Sequence, residues 1–124
     1  MRLLVNEADP MVRRWLEARA RELDVRLEFA DSPQQVLGDV HGTTPPDCVI
    51  LDACSSSDGD ATPLWRRLRR STGPRVPILL YSSSSRWQGV ADTARDAVDG
   101  VLSRPFDPDT LLDAARRVSA SMAA

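Results

Sequence analysis

Residues 3–29 read LLVNEADPMVRRWLEARARELDVRLEF, and this stretch decides the fold. Three apolar residues, Leu3–Val5, precede Asp9-Pro10, which sets a capping side chain before a proline at the first helical position. Val12, Leu16, Ala20 and Leu23 then recur at helical spacing as one apolar stripe, with Arg13, Glu17 and Arg21 turned outward. Val25–Phe29 alternates instead, with Arg26 and Glu28 facing out, as an edge strand does. Strand, helix, strand in that order requires parallel strands joined by a right-handed crossover.

Working outward, the same unit repeats. Cys48–Leu51, Ile78–Tyr81 and Val101–Leu102 are short apolar runs of the kind buried on both faces of a parallel sheet. Ser32-Pro33, Thr62-Pro63 and Asp107-Pro108 announce further helices as Asp9-Pro10 does. The last helix carries its stripe on Leu111, Leu112, Ala115 and Val118. A helix without a proline start runs from about Trp87 to Ala97, with a small inner face of Val90, Ala91 and Ala94, and is the readiest to move. The expected fold is α/β: a five-stranded parallel sheet, doubly wound, flavodoxin-like (βα)5, with strand order 2-1-3-4-5 and ligands at the carboxyl ends of the strands. One domain is expected over residues 1–118, with 119–124 as a flexible C-terminal end.

Composition narrows the function. The chain has 124 residues, 42% hydrophobic and 27% charged, with a formal charge of −2. That is ordinary for a globular domain and argues against direct nucleic-acid binding. No apolar run approaches the ~18 residues of a membrane span. Residues 1–10 lack a signal-peptide pattern, so a cytoplasmic location with no membrane partner is expected. All 16 basic residues are arginine, which excludes lysine chemistry. Two cysteines, Cys48 and Cys54, and one histidine, His41, make neither a disulfide framework nor a zinc site. The remote histidine also argues against Ser–His or Cys–His catalysis.

The predicted fold says where chemistry would lie. The first strand ends at Glu7-Ala8-Asp9, the third at Asp52, the fourth at Ser82-Ser83 and the fifth at Ser103-Arg104-Pro105. Two carboxylates, a hydroxyl and a guanidinium converge. Each has a job in phosphoryl transfer to a carboxylate. Asp52 would be the nucleophile, and Glu7 with Asp52 and a backbone carbonyl near Cys54 would hold Mg²⁺ weakly. Ser82 and Arg104 would bind phosphoryl oxygens. The same groups also read as caps and one buried ion pair.

The segments LLVNEADPMVR at 3–13, PDCVILDACSSSDG at 46–59, PILLYSS at 77–83 and VLSRPFDPDTLL at 101–112 resemble a response-regulator receiver domain of two-component signalling. The resemblance covers nearly the whole chain. It implies that Asp52 accepts phosphate from a histidine kinase or phosphotransfer protein with Mg²⁺ assistance. It implies a phosphoprotein that is not an enzyme beyond slow autophosphorylation or autodephosphorylation. It also implies a reporting surface for a downstream output protein or domain, built from the Trp87–Ala97 helix, the fifth strand and the last helix. A homodimer is left open, and the bond before Pro105 is expected to be cis, X-Pro being the common place for that isomer.

Four departures bear on function. The family's adjacent pair of acids is here Glu7-Ala8, or Asn6-Glu7 in a second register, so one carboxylate is lost in either. Arg104 replaces the family's lysine, and a planar guanidinium paired with Asp52 would brake phosphorylation. Val101 stands at the family's switch aromatic, and Tyr81 is not a positional substitute. The loop Ala53–Gly59 lacks the usual Pro-Gly and is one residue short. Asp52 and Ser82 favour a phosphoacceptor; Ala8 and Arg104 favour the alternative, a pseudo-receiver acting as a phosphorylation-independent interaction module. A flavin binder or small hydrolase is disfavoured by the lack of a Gly-rich loop and a histidine base.

Overall fold

The computed structural model describes residues 1–7, 9–42, 45–52, 64–72, 76–81, 98–102 and 107–123. In chain order they form β1 (Arg2–Asn6), α1 (Pro10–Glu22), β2 (Arg26–Phe29), α2 (Pro33–Val40), β3 (Cys48–Asp52), α3 (Leu64–Thr72), β4 (Ile78–Tyr81), β5 (Gly100–Leu102) and α4 (Pro108–Ala123). The strands make one parallel sheet in the order β2-β1-β3-β4-β5, as the alternation of elements predicts. The helix expected over Trp87–Ala97 lies outside the described residues. Among the described residues no helix is long and apolar enough to cross a membrane.

The strands read as unbroken apolar runs because each feeds two cores. Leu4, Val49, Leu51, Ile78 and Leu80 pack with Val36, Val40, Trp65 and Leu68 of α2 and α3. Leu3, Val5, Cys48, Ile50, Leu79 and Tyr81 pack with Leu16, Ala20, Leu111, Leu112 and Ala115 of α1 and α4. Among the described strands, β2 departs furthest from this pattern. It is an edge strand with Arg26 exposed, and its Glu28 pairs bidentately with Arg2 of β1 at 3.0 and 3.1 Å.

The proline-marked starts act as caps. Asp9 Oδ1 accepts the Met11 N–H at 2.9 Å, Ser32 Oγ accepts that of Gln35 at 3.1 Å, and Asp107 Oδ1 that of Thr110 at 2.8 Å. The start at Thr62-Pro63 lies outside the described residues. At the other end of α1, Val25 N–H bonds Ala20 O and Asp24 N–H bonds Arg21 O, with Asp24 at φ 57°. This is the left-handed exit that closes a helix with its last carbonyls satisfied.

Three details differ from the sequence reading. Arg13 is not turned to solvent: it folds back over the Phe29 ring at 5.2 Å and pairs with Asp31 at 2.8 Å. Helical spacing fixes the face on which a long side chain starts, not where its head ends. α4 continues to Ala123, so the backbone of residues 119–123, read as a flexible end, is helical, and Ser119 Oγ donates to Asp47 O at 2.9 Å. β5 begins at Gly100, one residue early, where a Cβ would press on the side chains of Leu79 and Val118.

Candidate functional site

The carboxyl ends of β1, β3 and β4 lie side by side. The last pair between β1 and β3 is Asn6 with Leu51, so Glu7 and Asp52 stand one step further along neighbouring strands. Asp52 itself pairs with Tyr81, the last residue of β4. Three chemically active residue types therefore occupy one level of the sheet.

Glu7 is buried, and a buried carboxylate requires hydrogen-bond donors. Its Oε1 accepts the Asp9 N–H at 3.0 Å, and its Oε2 accepts the hydroxyl of Tyr81, itself 1% exposed. Its backbone carbonyl accepts Arg13 Nε–H. One residue earlier, Asn6 Nδ2 donates to Ala30 O at 3.3 Å, tying the end of β1 to the end of β2. Asn6 thus holds two strands together, while Glu7 is the acid level with Asp52. Asp9, as the sequence predicts, caps α1.

Of the sequence-predicted residues, the structure places Glu7 and the backbone of Asp52 together at neighbouring strand ends. Ala8, Cys54, Ser82, Arg104 and Pro105 lie outside the described residues. Sequence reasoning missed two participants. Helical spacing points Arg13 to solvent, and Tyr81 reads from the sequence only as the end of an apolar strand. The signal for Tyr81 was the strand period of two: residues 79 and 81 share a face of the sheet with 3 and 5.

Mg²⁺ seeks hard oxygen ligands and keeps several waters. Glu7 supplies the right atom type, so the donor chemistry fits one ligand position. No cluster of three or more His, Cys, Asp or Glu able to hold a metal occurs among the described residues. The Cys48 thiol plays no part. Burial pushes its pKa up to about 12, which keeps it protonated and unreactive. A separate cleft of about 490 Å³ between α1 and α4, lined by Trp15, Arg19, Glu22 and Asp109 among others, does not include Glu7 or Tyr81.

The model of the response regulator receiver domain matches residues 3–116. A sensor protein from Polaromonas sp. JS666 is similar in structure at 26% identity, with a TM-score of 0.77 over 98% of this chain and 97% of that one. The receiver domain of the sensor histidine kinase PA1611 from Pseudomonas aeruginosa, solved with magnesium in its active-site cleft, matches at 23% identity and a TM-score of 0.75, over 96% and 97% of the two chains. The receiver domain of the Francisella response regulator 1452 matches at 18% identity with the same score, over 97% of each chain. No curated protein matches the chain.

Proposed function

We propose, from the premise that this chain belongs to the response regulator receiver domain family, that Asp52 is its phosphoacceptor. One observation carries the reading: Asp52 ends the central strand, level with Tyr81 on one side and one step past the Asn6–Leu51 pair, where Glu7 stands, on the other. A carboxylate oxygen of Asp52 attacks the phosphorus of a phosphohistidine on a histidine kinase or phosphotransfer protein. The P–N bond breaks, its electron pair returns to the imidazole, and the imidazole takes up a proton. An acyl phosphate remains on Asp52.

Ser82 and Arg104 are assigned to the phosphoryl oxygens, a hydroxyl and a guanidinium being suited to them. Glu7, Asp52 and the Cys54 carbonyl would hold Mg²⁺, which when bound supplies positive charge against the phosphoryl oxygens. The phosphorylation state would be reported through β5, α4 and the segment Trp87–Ala97 to an output protein or domain. Slow autophosphorylation and autodephosphorylation are the only turnover assigned to the chain.

The test is incubation with acetyl phosphate and Mg²⁺, read by intact mass and by mapping the modified peptide. Wild type gains one phosphoryl group, and Asp52→Asn gains none. A second reading has a specific observation behind it. Both Glu7 oxygens accept bonds from protein donors, which suits a phosphorylation-independent interaction module. If neither wild type nor Arg104→Lys combined with Ala8→Asp is labelled, that second reading replaces the first.

A further inference from the structure

Helix α1 carries a second stripe besides the one it buries. Leu16 and Ala20 face the core. Met11, Arg14, Trp15, Ala18, Arg21 and Glu22 are all exposed, and their spacing gathers them on the outward side of the same helix. Met11 is 77% exposed and Trp15 45%, one turn apart. Two large apolar side chains side by side in water mark an interaction surface more than a scattered one does.

The stripe is symmetric about Ala18. Arg14 and Glu22 stand four residues to either side of it, and Trp15 and Arg21 stand three. A second α1 laid antiparallel about an axis through Ala18 therefore meets it with every pair attractive. Arg14 of each copy faces Glu22 of the other, and the Arg21 guanidinium of each faces the Trp15 indole of the other. The small Ala18 at the crossing lets the two helices approach closely. The cleft between α1 and α4 lies beside this stripe, lined by Trp15, Ala18, Arg19, Glu22, Asp107 and Asp109. Arg19 already bonds Glu22 and Asp109. Three carboxylates against one guanidinium leave that lining negative, with an indole at its edge, and Arg21 of the second copy arrives there.

We propose that the outer face of α1 is a homodimer interface, its occupant a second copy of this chain in antiparallel register about Ala18. Self-complementarity carries the choice of partner: a two-fold contact sets each residue pair twice, and this stripe satisfies that condition with its own sequence. The helix has 13 residues and is about 20 Å long, so the contact is short. It falls below the roughly 1,200 Å² of a standard interface, and the dimer is weak and transient. The proposal does not depend on phosphorylation of Asp52.

Sedimentation of the chain from roughly 10 μM to 1 mM reads the association, the range suited to a weak contact. Wild type should move from monomer toward dimer. Ala18→Glu sets two like charges against each other at the axis and should abolish the dimer. Arg14→Glu turns two attractive pairs repulsive and should weaken it about tenfold. Adding Glu22→Arg to Arg14→Glu restores the attraction with the signs exchanged, and should recover association to within about threefold of wild type. A wild type that stays monomeric throughout overturns the proposal. A dimer that survives Ala18→Glu lies on another face and overturns it too, as does a charge swap that fails to restore association.

Cross-linking gives a reading without charged substitutions at the axis. Ala18→Cys should link to itself on oxidation, because a disulfide needs Cβ atoms about 4 Å apart. Arg14→Cys should not, since its two copies stand about 12 Å apart along the helices in this register. Peptide mapping identifies the linked residues. Self-linking at residue 14 as fast as at residue 18 overturns the proposal.

Discussion

Gly100→Ala tests the packing that sets β5 against its neighbours. A Cβ built on Gly100 falls 2.9 Å from Leu79 Cδ1 and 3.1 Å from Val118 Cγ2. Carbon atoms in contact prefer about 3.5–4.0 Å, so each neighbour must retreat by roughly 0.5–1 Å. The two cannot retreat equally. Leu79 is 1% exposed in the middle of the α1/α4 core, while Val118 is half-buried beside a groove of about 200 Å³ on the β5/α4 surface. Val118 yields, Leu79 resists, and the expected loss is about 1–3 kcal/mol, the ordinary range for overpacking. Urea denaturation followed by circular dichroism measures it as a lower midpoint at unchanged slope. The double variant with Leu79→Val removes the clashing methyl, so it should lose less than the sum of the two single variants. Strict additivity, or a loss below about 0.5 kcal/mol for Gly100→Ala alone, would refute the close-approach argument.

Three further outcomes are expected. The Arg2 guanidinium, bonded to Glu28, holds that carboxyl below its ordinary 4.5. A depressed acid contributes stability above its unfolded pKa and loses it as pH falls through the folded value. Wild type should thus lose more stability than Glu28→Gln on acidification below about pH 4.5, as seen in urea midpoints measured across pH. Ser32→Ala removes the cap that accepts Gln35 N–H, and should lower the unfolding free energy by about 1 kcal/mol in the same assay. Cys48, fully buried with its pKa raised to about 12, should resist a disulfide reagent in the native protein and react on unfolding, as peptide mapping will show.

The strand order was legible because two independent signals agreed. Runs such as Cys48–Leu51 and Ile78–Tyr81 are apolar at every position, as only doubly covered strands are, and Asp-Pro or Ser-Pro punctuates the helices between them. What stayed illegible has a common physical cause. Periodicity assigns a residue to a face but not a long side chain to its destination, so helical spacing points Arg13 to solvent although it reaches Glu7 O, Phe29 and Asp31. Gly100 carries no side chain to signal a strand; its meaning lies in what surrounds it. At the site, Glu7 and Asp52 were legible as polar residues ending apolar strands, a pattern with few explanations at the end of a parallel sheet. Tyr81 was not, because a tyrosine closing an apolar strand reads first as core, which it also is.

On the phosphoacceptor reading, the departures from the family pattern at residues 8 and 104 act in one direction. Two acids after the first strand, the acceptor aspartate and a lysine would carry a net charge of −2; Glu7, Asp52 and Arg104 carry −1. Attraction for a divalent cation falls with that charge at every separation. The ion then offers less compensation to Glu7, and the protein's own donors must offer more. Tyr81 and the Asp9 N–H are among them: each donates to one Glu7 oxygen. The phosphoacceptor and interaction-module readings differ at one measurable point, whether acetyl phosphate with Mg²⁺ labels Asp52.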